Sequence, residues 1–425
     1  MNLISETKNK PPTPVSTTNK KVLISGASIA GPTLAYWLYR YGFDVTVVER
    51  ADAVRSAGYP IDVRGTAIDV VERMGLLSKL QAAHIDTRKL TFVNADGARI
   101  AVISPEALSG GVSGRDIELP RGALTALLYE QTQNGAISYR FSDSIDALED
   151  DGVGVGVRFK SSEHDRFDIV IGADGLHSNT RALMFGSEEP FNRYLGRCFN
   201  LFSLPNYASL SHEGIIYAEP ERTAGVYAVG DSDTLHAFLI FASDKLPFLS
   251  QPDIEKQRKR TSAIFAGSGW EVPRLVEAMR HSEDLYFDTV SQIHMPHWSS
   301  GRVVLVGDAA YAPSFLSGQG TSLALVGAFV LAGELANHSN PADAFASYEQ
   351  IVRPFVEANQ ALASSGGSIL LPRSQEELDR RNRALAAAEF SADSGEHAAK
   401  RREVHSSLRL PNYNASLSMH TQHHG

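Results

Sequence analysis

The chain has 425 residues, 43% of them hydrophobic and 21% charged, with a formal net charge of −9. That length supports more than one packed layer around a sizeable core, and the acidic balance speaks against a chain devoted to nucleic acid. No run reaches the ~18 consecutive apolar residues of a membrane span, and the single cysteine, Cys198, excludes an internal disulfide.

Residues 1–20 are polar, carry Pro11, Pro12 and Pro14, and lack the apolar core of a signal peptide; they read as a disordered leader. With one cysteine set among apolar neighbours, and read as buried and inert, the expected compartment is the cytoplasm. Lys21–Ser25 is a short apolar run of the kind buried in a parallel sheet. Gly26 follows, then a helix from about Ile29 to Tyr41 in which Leu34, Trp37, Leu38 and Tyr41 recur at spacings of three and four. Gly42 stops it, and Asp44–Val48 is a second buried strand ending in Glu49-Arg50. Strand, glycine turn, helix and strand make a βαβ unit.

Residues 64–85 read as helical and 87–118 as strands with a turn at Ala95-Asp96-Gly97. Arg121 opens a strong helix. Residues 137–174 return to strands, with a hairpin at Asp150-Asp151-Gly152 and a buried strand at Asp168–Gly172. Between 190 and 295 the pattern shifts to short alternating segments, which suggest an antiparallel sheet followed by a helix over Gln251–Phe265. Val303–Val306 is again a buried strand, Gly318-Gln319-Gly320 opens a long apolar helix, 341–361 is helical, and Gln375–Phe390 is a charged amphipathic helix. Ser364–Ser368 reads as a flexible joint. The stretch 391–425, rich in His, Ser and Asn, reads as a weakly ordered tail whose His420, His423 and His424 are solvated and hold no metal.

The fold class is therefore α/β, with a discontinuous Rossmann-like dinucleotide domain over 21–80, 119–185 and 285–362. An antiparallel-sheet substrate domain is inserted over 81–118 and 186–284, and C-terminal helices follow, with 363–390 as the last of them.

Three stretches carry chemistry. Gly26-Ala27-Ser28-Ile29-Ala30-Gly31 matches G-x-G-x-x-G at its first and third glycines, with Ser28 at the second. The glycines make the tight turn and let helix meet strand, while the helix start offers free N–H groups and a positive dipole end to a pyrophosphate. Glu49, about twenty residues on, is placed to accept from ribose hydroxyls and disfavours a 2′-phosphate there; its alternative is a solvated strand end. The second stretch is Gly307-Asp308-Ala309-Ala310 with Gly318-Gln319-Gly320. Its carboxylate suits a ribityl or ribose hydroxyl, and its second helix start suits a phosphate or the edge of a flavin. The third is Asp174-Gly175, followed by His177, Ser178 and Arg181. Asp174 is either a neighbour of the cofactor or a cap on the next helix.

Together these motifs resemble the class A flavoprotein monooxygenases, FAD-dependent aromatic hydroxylases with the para-hydroxybenzoate hydroxylase fold, and are similar to the tetracycline-inactivating members. The resemblance covers most of residues 21–360. It implies that Gly26, Ser28, Ile29, Ala30 and Gly31 surround the pyrophosphate of FAD, and that Glu49 holds the adenosine ribose with Arg50 near the adenine. It also implies that Arg121 reaches FAD, Asp174 and Gly175 lie beside FAD and NAD(P)H, Gly307 and Asp308 meet the ribityl or pyrophosphate region, and Gly318, Gln319 and Gly320 border the isoalloxazine. Gly58–Gly65 resembles a flavin-lining segment of the tetracycline-inactivating relatives, with Asp62 and Arg64 as an ion pair beside the ring; the alternative is a surface loop. Tyr311, Ser314 and Ser322 stand where the family usually has His or a similar residue, a second proline, and Asn.

The activity so implied is reduction of FAD by NADPH (or NADH), reaction with O2, and transfer of one oxygen through a flavin C4a-hydroperoxide to an aromatic, phenolic or polyketide-like small molecule. The donor visits transiently, since the sequence holds no second nucleotide fold. No protein nucleophile is needed and no catalytic residue is assigned; His236 and Tyr217 are candidate substrate bases. Phe199, Phe202, Tyr217, Tyr227, Phe238 and Phe241 suit a flat aromatic or polycyclic ligand, or equally a plain core. A monomer or weak dimer is expected. The alternatives are an oxidase- or halogenase-like flavoprotein, although Trp37, Trp270 and Trp298 form no halogenase motif, and a flavin-bound protein that only sequesters a ligand.

Overall fold

A computed structural model describes residues 20–54, 59–105, 115–133, 137–244, 253–387 and 396–413. The leader up to Asn19, Gly58, and His420, His423 and His424 lie outside the described residues.

The buried apolar runs assemble into a six-stranded sheet. Its order is Ser299–Ser300, Val303–Leu305, Ile169–Gly172, Lys21–Ser25, Asp44–Val48, Ser138–Arg140, parallel throughout except for the first pair. Alternation along these strands sorts side chains to two covered faces. Val22 and Ile24 pack under the helices Ala30–Arg40 and Gly320–Asn337, while Leu23, Val48, Val170 and Val303 pack on an antiparallel meander of His164–Phe167, Val155–Phe159 and Ile145–Asp150. Burial on both faces is why these strands read as unbroken apolar runs. Lys21–Ser25 lies between strands that continue to either side, so the space beyond Ser25 is a switch point, where open α/β sheets bind ligands.

The second sheet has seven strands in the order Tyr286–Ile293, Asn192–Pro205, Thr234–Ala242, Arg222–Ala228, Glu213–Glu219, Lys89–Val93, Arg99–Ile103. It is not purely antiparallel, as its alternating pattern suggests. Glu213–Glu219 and Lys89–Val93 run parallel, because these strands come from segments far apart in the chain and no hairpin sets their direction. One face packs against the helices Ile254–Ile264 and Val272–His281. Phe199, Leu201, Ile240 and Val290 of the other face meet Leu316, Ala363 and Leu371. A two-stranded ribbon, Pro60–Val63 with Ile117–Pro120, completes the strands.

Other local expectations change. The helical stretch expected over 64–85 is two helices, Thr66–Arg73 and Leu77–Ala82, because Gly75 takes φ +73 between them. Val272–His281 is a helix that sequence reading passed over. Ser364–Ser368 lies inside the helix Pro341–Leu370. The charged helix ends earlier than expected and spans Gln375–Ala386. The tail is corrected most. Glu396–His405 is a helix, and beyond it Thr66 Oγ1 donates to the Leu408 carbonyl (2.8 Å) and the Tyr413 hydroxyl to Glu334 (2.7 Å). Leu410 and Tyr413 are buried there; two apolar residues within a polar stretch suffice to dock it. Gly320–Asn337 is long and apolar enough by composition to cross a membrane, but it is mostly buried inside the protein.

Candidate functional site

The strand-to-helix turn after Lys21–Ser25 is dictated by backbone contact. Gly26 has φ +109, and a Cβ there would sit 2.5 Å from the Ala173 carbonyl oxygen. A Cβ on Gly31 would run into the Gly26 carbonyl. These are the tight-turn and close-approach roles of the first and third glycines. Gly307, at φ +66, lets the end of the strand Val303–Leu305 come beside Ala30. The helices Ala30–Arg40 and Gly320–Asn337 both begin without a side-chain cap on their first N–H groups. Both starts open on one cavity of about 420 Å³, lined among others by Ser28, Ile29, Ala30, Gly175, Asp308, Gly318 and Gly320. Two uncapped positive helix ends on one cavity, with glycines giving access to the backbone, suit the phosphates and ring edge of a dinucleotide. Gln319 is fully buried and its Oε1 has no partner, leaving an acceptor beside the second helix start.

Charged groups border the same space. Arg121 donates to Ser28 Oγ (2.9 Å), so the side chain at the second-glycine position is a link to the helix that Arg121 opens. Asp62 and Arg64 form an ion pair at 2.5 Å on the cavity wall. Asp308 has accessible surface toward the cavity, yet protein packs closely around it. That burial pushes its carboxyl above the usual range, Arg121 opposes the rise and Asp288 adds to it.

Other predicted residues stand back from the cavity. Glu49 accepts from the backbone N–H of Ala27 (2.8 Å) and Ala51 (3.0 Å), so its carboxylate braces the turn. Arg50 is exposed and lines no part of the cavity. Asp174 accepts from Ser178 Oγ (2.5 Å), Thr180 N (2.9 Å), Thr180 Oγ1 (2.8 Å) and Ser25 Oγ (3.3 Å). It therefore ties the start of the helix Asn179–Phe185 to the parallel sheet, the capping alternative, while Gly175 faces the cavity.

The positions that depart from the resembled pattern separate in space. Tyr311 points into the core, against Trp298 and under the Tyr348 hydroxyl (3.0 Å), and lines no cavity. Ser322 Oγ accepts from the Arg64 N–H (3.1 Å). Ser314 does line the cavity and takes φ +80, ψ 152, a backbone region that proline cannot enter and that strains any residue but glycine.

Four aromatic side chains also line the cavity. Phe199 stacks on Phe315 (4.8 Å between centroids), Tyr59 meets Phe315 (6.1 Å) and Tyr286 (6.3 Å), and Phe199 meets Tyr286 (5.9 Å). Asp288 lines the cavity as well. Of the aromatics read from the middle sheet, Phe199 alone is in this lining, whereas Phe202, Tyr217 and Phe241 belong to the core under the helices. Tyr217 is spent on Glu219 (2.6 Å) within that core, and His236 stacks on Tyr227 away from the lining, so neither candidate base faces the cavity. Sequence reading missed Tyr286, Asp288 and Phe315, whereas Tyr59 lies in the segment Gly58–Gly65 expected to line the site. The signal for one was present: Asp288 begins the buried part of the strand Tyr286–Ile293, and a buried carboxylate has to be paired or functional. Cys198 is fully buried and burial pushes its thiol up. Among the described residues no group of three or more His, Cys, Asp and Glu side chains is placed to hold a metal.

The sequence matches the model of the FAD binding domain family over residues 19–363. It is 44% identical over 363 residues to an uncharacterised protein of Mycobacterium tuberculosis, covering 85% of this chain and 97% of that one. It is 38% identical over 367 residues to a flavin-dependent monooxygenase of an unknown prokaryotic organism, covering 85% and 94%. The crystal structure of tetracycline destructase Tet(55) superposes with a TM-score of 0.80 at 34% identity, covering 94% of this chain and all of that one.

Proposed function

The chain belongs to the FAD-binding class A flavin monooxygenases, and from that premise we propose that it uses NAD(P)H and O2 to hydroxylate a flat aromatic, phenolic or polyketide-like small molecule. FAD, when bound, supplies the redox and oxygen chemistry. This chain's residues bind, orient and exclude water. Ser28, Gly175, Gly318 and Gly320 would hold the cofactor with the two helix starts, Arg121 would reach it over Ser28, and Asp308 would meet its polyol chain. The proposed flavin-side pair of Asp62 and Arg64 would border the ring.

The observation that carries the substrate class is the cluster of Tyr59, Phe199, Tyr286 and Phe315 in the cavity lining. Planar rings gain most from stacking on such a cluster. The relation to a tetracycline destructase supports a polycyclic ligand. The nucleotide donor is proposed to visit from outside, NADPH before NADH. The test is a screen of aromatic and polycyclic compounds for stimulated NADPH consumption by the FAD-loaded protein, with products weighed for the gain of one oxygen atom. Reduction by NADPH without oxygen transfer to any compound would favour an oxidase, and a flavin that no nicotinamide reduces would favour sequestration.

A further inference from the structure

Oxygen transfer consumes a proton: NAD(P)H, H⁺, O2 and R–H give NAD(P)⁺, R–OH and water. Two electrons come from the donor, one oxygen atom enters the substrate and the other leaves as water. A proton from solvent must therefore reach the reacting oxygen in the cavity on every turnover.

One cavity-wall carboxylate is linked onward to the surface. Asp288 is buried and lines the cavity. Its Oδ2 accepts from the Tyr286 hydroxyl (2.7 Å), and its Oδ1 accepts from the Thr289 N–H (2.7 Å) and lies 3.3 Å from His177 Nε2. Strand alternation brings Tyr286 and Asp288 to the same side. The other ring nitrogen of His177, Nδ1, lies 3.0 and 3.1 Å from the two oxygens of Glu188. Glu188 is itself held by the buried Arg181 (2.5 Å) and by Asn192 (2.8 Å). The side chain of His177 is 43% accessible, so the link ends in solvent. An imidazole between two carboxylates donates from both nitrogens only as the cation. Burial opposes that charge, but the hydrogen bonds and charges of Asp288 and Glu188 outweigh it and carry His177 up to about 9. Asp308 and Arg121 are the further charged groups near the inner end, on the cavity wall that Asp288 also lines.

We propose that His177 and Asp288 conduct solvent protons into the cavity, with Tyr286 and Glu188 as positioning residues. This rests on the monooxygenase reading above. In the step, the Nε2–H bond of His177 breaks and an O–H bond forms on Asp288. That proton then passes to the oxygen that leaves as water, and solvent reprotonates His177. The cluster joins the turn after Asp174-Gly175 to the edge strand of the seven-stranded sheet, so it forms only when the two sheets are packed together.

The test avoids both the unidentified substrate and the nicotinamide. FAD-loaded protein is reduced with dithionite and mixed with O2, a reaction that releases hydrogen peroxide and also takes up one proton. His177→Gln and Asp288→Asn are each expected to slow flavin reoxidation about tenfold, below the 10²–10⁴ of a complete general acid because water still leaks in. Added imidazole should restore His177→Gln, whose site is exposed, and not Asp288→Asn. Separately, proton NMR of the FAD-free chain should show a histidine titrating near 9 that falls toward 6.5 in Asp288→Asn and Glu188→Gln. Wild-type reoxidation rates and pH profiles in both variants would overturn the proposal. So would a slowing in His177→Gln that imidazole leaves untouched, or a His177 that titrates at its ordinary value. Failure of NADPH to reduce the wild-type flavin would instead count against the functional reading, and the dithionite assay separates the two.

Discussion

Two parts of the cavity lining are built in opposite ways. One part of the lining comes from two short stretches far apart in the chain, each of which presents backbone: Gly26 and Gly31 shape the first turn, and two bare helix starts face the space. In the rest of the lining, Phe199, Tyr286 and Asp288 of the seven-stranded sheet, with Tyr59 and Phe315 from outside it, come from separate segments and present side chains. A wall made of backbone tolerates little added bulk, since its working parts are N–H groups and the close contacts that aim them. A wall made of side chains can be rewritten residue by residue while the strands stay in register. Cofactor recognition is thus rigid here, and ligand recognition is free to vary.

The largest expected effect tests the backbone wall. Gly31→Val drives a side chain into the Gly26 carbonyl and should cost about 3 kcal/mol or more of stability, with FAD lost on gel filtration; normal flavin retention would show that the wall is not built from backbone contact. Next comes a matched pair on the sheet. Phe241→Ala removes a fully buried ring from the core under the helices and should cost roughly 3–5 kcal/mol in denaturant unfolding. Phe199→Ala, one residue along the paired register, should cost less stability and instead raise the KM of an aromatic substrate. Equal losses of stability with no kinetic difference would erase the distinction between the faces.

A smaller effect sits where the two walls meet. Ser314→Gly removes the strain of φ +80, ψ 152 and loses one cap to the Leu316 N–H. The net gain should be about 1 kcal/mol, seen as a higher Tm, and a lower Tm would mean the loop is not strained. Ser314→Pro should lower it. A last effect is on pH. His177 has a folded pKa raised from 6.5 to about 9, so its contribution is complete below 6.5 and is lost as pH rises through 9. Between those limits the folded state binds more protons than the unfolded one, and stability falls with pH. The wild type should show that extra loss and His177→Gln should not; parallel curves would detach His177 from its two carboxylates.

The contrast between the walls also explains what could be read in advance. The alternation of Val22, Leu23 and Ile24 between two apolar layers, the βαβ unit and the glycine turn all follow from neighbours within about thirty residues, where spacing carries the information. The position of Glu49 was legible, though its oxygens serve the N–H groups of Ala27 and Ala51. Asp174 was left between two roles, and only the fold shows that it bonds Thr180 and Ser25 and supports Ser178, the N-cap of the next helix. Tyr217 looked like a candidate base because its strand alternates, but alternation names two faces without saying which one is dry.

The sequence by itself determined the α/β class, the FAD-binding family and the residues of the two helix starts, because local backbone geometry and glycine spacing leave few alternatives. Tertiary structure alone decided which face of the seven-stranded sheet meets the cavity and that Leu408, Leu410 and Tyr413 dock on the body. It also decided that Asp288 and His177, from separate segments, touch. Those outcomes depend on which distant strands pair and which layer covers them, and packing of that kind leaves no periodic trace in the chain.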